Sequence, residues 1–140
     1  IIRLHVGPHY ELLTPECINA FCDTAFTINP NSNRMGVRLD HKNADIMQHT
    51  LSLPSVAVAP GSIQLPPDGN PIVLLNDGQT TGGYPLIAHV IEADLHQFAQ
   101  FRTADPITFE FVSLEQANAA KNKLDAHLAQ LKLSLSRYWD

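Results

Sequence analysis

Four consecutive apolar residues, 72–75, lie between two segments that interrupt regular secondary structure. Residues 66–71 read Pro-Pro-Asp-Gly-Asn-Pro, a composition typical of turns. Residues 76–84 combine one aspartate, one asparagine, one glutamine and two threonines with three glycines. A buried strand that ends in a polar loop is a common way for a rigid scaffold to present functional side chains. We therefore expect a strand at 72–75 and a candidate site in the loop that follows it.

Short apolar segments separated by proline and glycine recur through the first 111 residues. Polar and apolar residues alternate in 2–6 and again in 107–111, which is the period of a half-buried strand. Many short strands with few helices indicate a mainly β domain, either an antiparallel barrel or a sandwich. Further strands are expected at 26–28, 37–39, 63–65 and 86–91, an edge or bulged segment at 51–58, and a polar loop at 40–48.

Three segments carry helix signals, and they predict two or three helices around the β domain. Thr14 precedes Pro15, the arrangement of an N-cap followed by proline at the first helical position. Asp94 is expected to cap a short helix. Ser113 and Gln116 have the spacing of a capping box and begin the longest predicted helix.

The longest predicted helix carries apolar residues at spacings that favour a single apolar face. We expect this stripe to pack on the β domain, and the alternative is that it docks another polypeptide of the same assembly. Its members are Leu114, Ala117, Leu124, Leu128, Leu131 and Leu135.

Composition limits the classes of protein to consider. The 140 residues suit a single domain, 1–140, and the chain lacks the run of about 20 apolar residues that a membrane span needs. A net charge of −5 argues against a nucleic-acid partner. Cys17 and Cys22 are five residues apart in a predicted helix and point to different faces, so we expect reduced thiols and a cytoplasmic protein. Because the sequence begins with Ile1, it is interpreted as a piece of a longer polypeptide.

The loop at 76–84 offers groups that suit an amide-like substrate. Amides and hydroxyls supply hydrogen-bond donors and acceptors, and paired glycines allow backbone to approach a ligand closely. Arg34 has two interpretations, a salt bridge to a neighbouring loop or a clamp for an anion. His5 and His9 straddle a strand end, which is poor geometry for a metal, and no metal is predicted in this chain.

Three motifs resemble one known family. Gly-Ser-Ile-Gln-Leu-Pro-Pro-Asp-Gly at 61–69, Gln-Thr-Thr-Gly-Gly-Tyr-Pro at 79–85 and Arg-Met-Gly at 34–36 are similar to the biotin-dependent carboxyltransferase-like family. The Asp94-Leu95 pair also fits its pattern. The resemblance implies a mainly β fold, a cyclophilin-like antiparallel β-barrel with two or three peripheral helices, and a site that contains catalytic Asp77 and substrate-binding Arg34, Gln79, Thr80, Thr81, Gly82, Gly83 and Tyr84.

The family includes the C-type component of 5-oxoprolinase, the second component of allophanate hydrolase and an antagonist of a sporulation kinase inhibitor. The resemblance implies the C-terminal half of a tandem subunit of an ATP-dependent 5-oxoprolinase, which acts with a B-type partner protein and the missing N-terminal half. The chain has no phosphate-binding P-loop motif, so ATP is expected only at the level of the full complex. The alternatives are a biotin-dependent urea carboxylase or allophanate-type carboxyltransferase and a non-catalytic regulatory protein. The sequence departs from the family motif at Gly78.

Overall fold

The computed structural model describes residues 1–138, and its strands form one large and one small sheet. The strands are β1 (Ile2–Val6), β2 (Phe26–Ile28), β3 (Gly36–Asp40), β4 (Val56–Ala57), β5 (Ser62–Gln64), β6 (Ile72–Leu74), β7 (Thr81–Gly82), β8 (Leu86–Val90), β9 (Pro106–Ile107) and β10 (Phe109–Phe111). Eight strands join in the order β10-β1-β8-β5-β6-β3-β2-β9, and β4 pairs with β7. All pairs are antiparallel except β1 with β10.

One segment joins the two edges of the large sheet. The strand predicted at 107–111 is two strands in the structure, β9 and β10, separated by Thr108. β9 pairs with β2, whereas β10 pairs with β1 at the other end of the strand order. The Ile2 amide also donates to the Thr108 carbonyl at 2.8 Å. The sheet is therefore barrel-like, which confirms the predicted mainly β, cyclophilin-like barrel.

Aromatic rings fill part of the barrel core. Phe21 stacks on Phe109 with ring centroids 5.1 Å apart, and Phe26 lies 5.3 Å from each of them. All three side chains are buried, and alternate residues of β1, Ile2 and Leu4, are fully buried beside them in the same core. The alternation read from the sequence thus identifies the inward face of β1.

Four α-helices accompany the sheets within residues 1–138. They are α1 (Pro15–Asp23), α2 (Ala44–Met47), α3 (Glu92–Leu95) and α4 (Leu114–Ser136). The Thr14 hydroxyl caps α1 by accepting from the Cys17 amide, and the Ser113–Gln116 capping box begins α4 as predicted. The single turn α2 lies in the segment that was predicted to be a loop.

The prediction that Asp94 caps a helix is wrong. Ile91 occupies the N-cap position of α3, and Asp94 lies inside this short helix with its side chain buried. Its carboxylate contacts Arg3 on β1. A long-range partner, which sequence spacing does not reveal, therefore determines the role of this acid.

The prediction that the leucine stripe of α4 packs on the barrel is also wrong for most of its length. The helix contacts β1 and α3, and Lys121 pairs with Glu92 at 3.0 Å. Its 23 residues span about 35 Å at 1.5 Å per residue, which is longer than the diameter of a small domain, about 30 Å. None of its residues is buried. Side chains of Leu114, Leu128, Leu131, Leu133 and Leu135 are 46–67% exposed.

Candidate functional site

The loop after β6 is fixed to the turn that precedes β3. The Leu75 amide donates to the Met35 carbonyl at 3.1 Å, and the Gly78 amide donates to the Leu75 carbonyl at 3.0 Å. A Cβ on Gly78 would lie 2.7 Å from the Met35 oxygen, which is closer than real contacts allow. Glycine is therefore required at the position where the sequence departs from the family motif.

These contacts bring Arg34 and Asp77 together. Arg34 Nε lies 3.2 Å from Asp77 Oδ2, so the structure supports the salt-bridge interpretation of Arg34. The two side chains are 86% and 55% exposed, and an ion pair this exposed contributes at most about 1 kcal/mol to stability. Both side chains line a cleft of about 500 Å3 whose other walls include Leu95 and Phe98. A charged pair at the edge of an apolar cleft suits a small ligand with a polar end.

Gln79 and Tyr84 line a different cleft. This smaller space, about 190 Å3, also contains Gln64 and Arg38 in its walls. It continues into a polar cleft of about 660 Å3, because Arg38 and Tyr84 line both spaces. The structure therefore divides the predicted site residues between two clefts, with Arg34 and Asp77 in one and Gln79 and Tyr84 in the other.

None of the three clefts described above is lined by the remaining predicted residues, Thr80, Thr81, Gly82 and Gly83. Thr81 and Gly82 form β7, which pairs with β4, and the Thr80 carbonyl accepts a hydrogen bond from the Val58 amide at 3.0 Å. Thr80, Thr81 and Gly83 are exposed. Gly82 is half-buried, and its backbone lies against the side chain of Gln64.

Gln64 is a site residue that was not identified from the sequence. It lies on β5 between neighbours that are also buried, and its side chain is only 1% exposed. Its Oε1 accepts a hydrogen bond from Gln79 Nε2 at 3.3 Å. The available signal was a glutamine between Ile63 and Leu65 in an apolar strand, since buried polar side chains are uncommon and need a partner.

Two histidines contact β8, and the two cysteines form no disulfide. His9 Nδ1 accepts a hydrogen bond from the Leu86 amide at 2.9 Å, and His5 lies opposite His89 in the β1–β8 pairing. Cys17 and Cys22 are free thiols, as predicted, and burial raises the pKa of both.

Residues 1–138 contain no group of three or more His, Cys, Asp or Glu side chains that could hold a metal. Across the same range, no helix combines the length and the apolar character that a membrane crossing needs.

The sequence that forms the barrel matches a known family of protein domains. Residues 1–111 match the family described as the carboxyltransferase domain, subdomain A and B, and the chain belongs to this family. Over 132 residues, the chain is 45% identical to the C-type component of 5-oxoprolinase from Haemophilus influenzae and 41% identical to the same component from Escherichia coli. The alignments cover 94% and 93% of this chain and 42% of each relative.

A solved structure shares the fold. The urea amidolyase of Kluyveromyces lactis superposes with a TM-score of 0.78 and 28% identity, over 89% of this chain and 8% of that protein. These comparisons confirm the family resemblance read from the sequence motifs. The family match ends at residue 111, so α4 lies beyond it.

Proposed function

We propose that this chain is part of the C-type component of an ATP-dependent 5-oxoprolinase, which opens 5-oxoproline to glutamate. The observation that carries this proposal is the 41–45% identity to two proteins of that name over nearly all of this chain. Because the chain spans 42% of those relatives, the activity belongs to a longer polypeptide. The present domain is its C-terminal half in this proposal, and the two free thiols are consistent with a cytoplasmic location.

The chemistry to be performed explains the need for ATP and for polar side chains. A lactam is stabilised by resonance, so water opens it only after activation, and phosphorylation of the carbonyl oxygen by ATP supplies that activation. Asp77 positions or deprotonates the water, and Arg34 orients the Asp77 carboxylate through their 3.2 Å contact. The amide edge of the substrate is bound by Gln79, Thr80, Thr81, Gly82, Gly83 and Tyr84.

The site is shared with other parts of the complex. Because this sequence has no P-loop motif, we assign the nucleotide pocket to a B-type partner protein or to the N-terminal half. The isolated domain is therefore expected to be inactive.

The test is ATP-dependent glutamate release by the assembled complex that contains the full-length protein. Asp77→Asn should lower turnover about 100-fold, the usual effect of losing a general base. Asp45→Asn, a change at an aspartate of α2 away from both clefts, is the matched control and should leave turnover unchanged. Full turnover by the Asp77→Asn complex would remove Asp77 from the mechanism.

A second candidate is the carboxyltransferase step of a urea carboxylase. The superposition on urea amidolyase and the family description favour it. The sequence has no Met-Lys dipeptide to carry biotin, so carboxyl transfer would need a separate carrier protein. Carboxylation of urea by the complex with added carboxybiotin, and no glutamate release from 5-oxoproline, would select this alternative. Absence of both activities would favour a regulatory binding protein.

A further inference from the structure

Gln64 has an unpaired hydrogen-bond donor inside the protein. Its Oε1 is paired with Gln79, but Nε2 is buried and has no partner among residues 1–138. A buried donor without a partner destabilises the folded state, so a protein that retains one is expected to use it. Gln64 also lines the 190 Å3 cleft, although Nε2 itself is not accessible to water in this conformation.

Gly82 provides the room for the Gln64 amide. A Cβ added at Gly82 would overlap Gln64 Nε2, whereas a Cβ added at Gly83 meets its nearest atoms at 3.6 Å, an ordinary contact. A side chain at residue 82 would therefore displace the end of the Gln64 side chain, whereas one at residue 83 would not. This couples the family motif at 79–85 to the glutamine of the motif at 61–69.

A positive charge lies in the same cleft. Arg38 is exposed, lines the 190 Å3 cleft and forms no ion pair within the part of the chain that the structure describes. A guanidinium binds a carboxylate through two parallel hydrogen bonds. Because this cleft continues past Arg38 into the polar cleft of about 660 Å3, a small molecule in it can place a carboxylate beside the Arg38 guanidinium.

We propose that Gln64 and Arg38 form the recognition site for a small amide that carries a carboxylate. Gln64 Nε2 turns toward the cleft and donates to the amide carbonyl oxygen of the ligand, Arg38 pairs with the carboxylate, and Gln79 holds the Gln64 side chain through Oε1. This inference rests on the proposed function and refines it, because 5-oxoproline combines both groups. It adds Gln64 on β5 and Arg38 on β3 to the loop residues that the proposed function assigns to the substrate.

The decisive variant is Gln64→Met in the full-length protein. Methionine has a similar volume and no donor, so the protein loses an unsatisfied buried group and should be as stable as the wild type or more stable. Calorimetric affinity for 5-oxoproline should fall at least tenfold while the melting temperature stays the same or rises. A purely structural glutamine would give the reverse, a lower melting temperature with unchanged affinity, and that result would overturn the inference.

Gly82 supplies a second test. Gly82→Ala should displace the Gln64 amide and weaken binding of 5-oxoproline at least tenfold, and it should add no further loss in the Gln64→Met background. Arg38→Gln should weaken binding of 5-oxoproline but not of 2-pyrrolidinone, the same lactam without the carboxylate. Losses that add fully in the Gln64→Met, Gly82→Ala double variant would count against the assignment.

Side-chain amide NMR separates this inference from the proposed function. In the 15N-labelled full-length protein, the Gln64 NH2 signal should shift on addition of 5-oxoproline, 2-pyrrolidinone or urea. If urea alone shifts it, Gln64 binds amide carbonyls and 5-oxoproline is the wrong substrate. If none of the three shifts it while the complex still releases glutamate, the proposed function stands and the Gln64 site is refuted.

Discussion

Arg3 donates three hydrogen bonds to the carboxylate of Asp94. Its Nε and backbone amide reach Oδ2 at 2.9 Å each, and a terminal nitrogen reaches Oδ1 at 2.6 Å. Asp94 is buried, whereas the Arg3 side chain is 39% exposed. The pair attaches α3 to β1, although the two residues are 91 positions apart in the sequence.

Asp94→Asn should lower the free energy of unfolding by about 1.5–3 kcal/mol, the range for hydrogen bonds to charged groups. The loss stays below that for a fully buried pair because the freed Arg3 can be hydrated. Asp77→Asn, which breaks the exposed pair with Arg34, should cost at most about 1 kcal/mol. Urea unfolding of both variants measures the difference, and equal losses would contradict the assigned roles.

The same pair predicts how acid affects stability. Burial alone would raise the pKa of Asp94, but the hydrogen bonds and charge of Arg3 together outweigh it and hold the pKa below the usual value. The unfolded chain therefore binds this proton first, at about pH 3.9. The contribution of Asp94 is complete above that pH and is lost as the pH falls through the lower folded value. Unfolding measured from pH 6 to pH 2 should show a shallower acid decline in Asp94→Asn.

His89 should make stability depend on pH in a higher range. Burial, followed by the charge of His5 on the neighbouring strand, lowers the pKa of His89. Below about pH 6.5 the unfolded chain is protonated at this residue before the folded one, so stability should fall as the pH drops from 7 through the folded pKa. His89→Gln should remove this part of the slope. The exposed His127→Gln variant is the control, and an unchanged slope in His89→Gln would exclude this origin.

Gly78 should be more sensitive to substitution than Gly83. Gly78→Ala places a methyl group against the Met35 carbonyl, which accepts from Leu75, so the loop must shift at a cost of about 1–3 kcal/mol. Gly83→Ala should stay within about 0.5 kcal/mol of the wild type. Thermal unfolding compares the two variants directly, and similar melting temperatures would show that the loop tolerates a side chain at 78.

The exposed leucines of α4 should contribute little to the stability of this chain. Leu131→Ala is expected to change the free energy of unfolding by about 0.5 kcal/mol or less, because its side chain stays largely in water. Leu4→Ala, a change at a fully buried residue of β1, should cost about 2–5 kcal/mol. Chemical denaturation distinguishes these cases, and a loss above about 2 kcal/mol in Leu131→Ala would mean that the face is covered.

Local patterns predicted the features whose cause is local. The caps at Thr14 and Ser113 and the alternation of β1 depend on residues a few positions apart, and the structure confirms them. The role of Asp94 depends on Arg3, and the split at Thr108 depends on strands at both sheet edges. Neither relationship leaves a periodic signal in the sequence.

The same distinction applies to the candidate site. The turn chemistry of 76–84 identified an exposed polar loop, but it did not indicate that Arg34 and Asp77 line one cleft and Gln79 another. That division follows from the pairing of β6 with β3 and of β7 with β4. Gln64 was missed because its neighbours on β5 gave the segment the appearance of an ordinary buried strand.

The segment that carries β9 and β10 also affects the order of events during synthesis. Until residue 111 has left the ribosome, β1 and β2 each lack the partner strand that this segment provides. Both then present unpaired backbone amides and carbonyls, which are templates for intermolecular β pairing. A nascent or truncated chain that stops short of this segment would be exposed to aggregation at two sites, and completion of the segment removes both together.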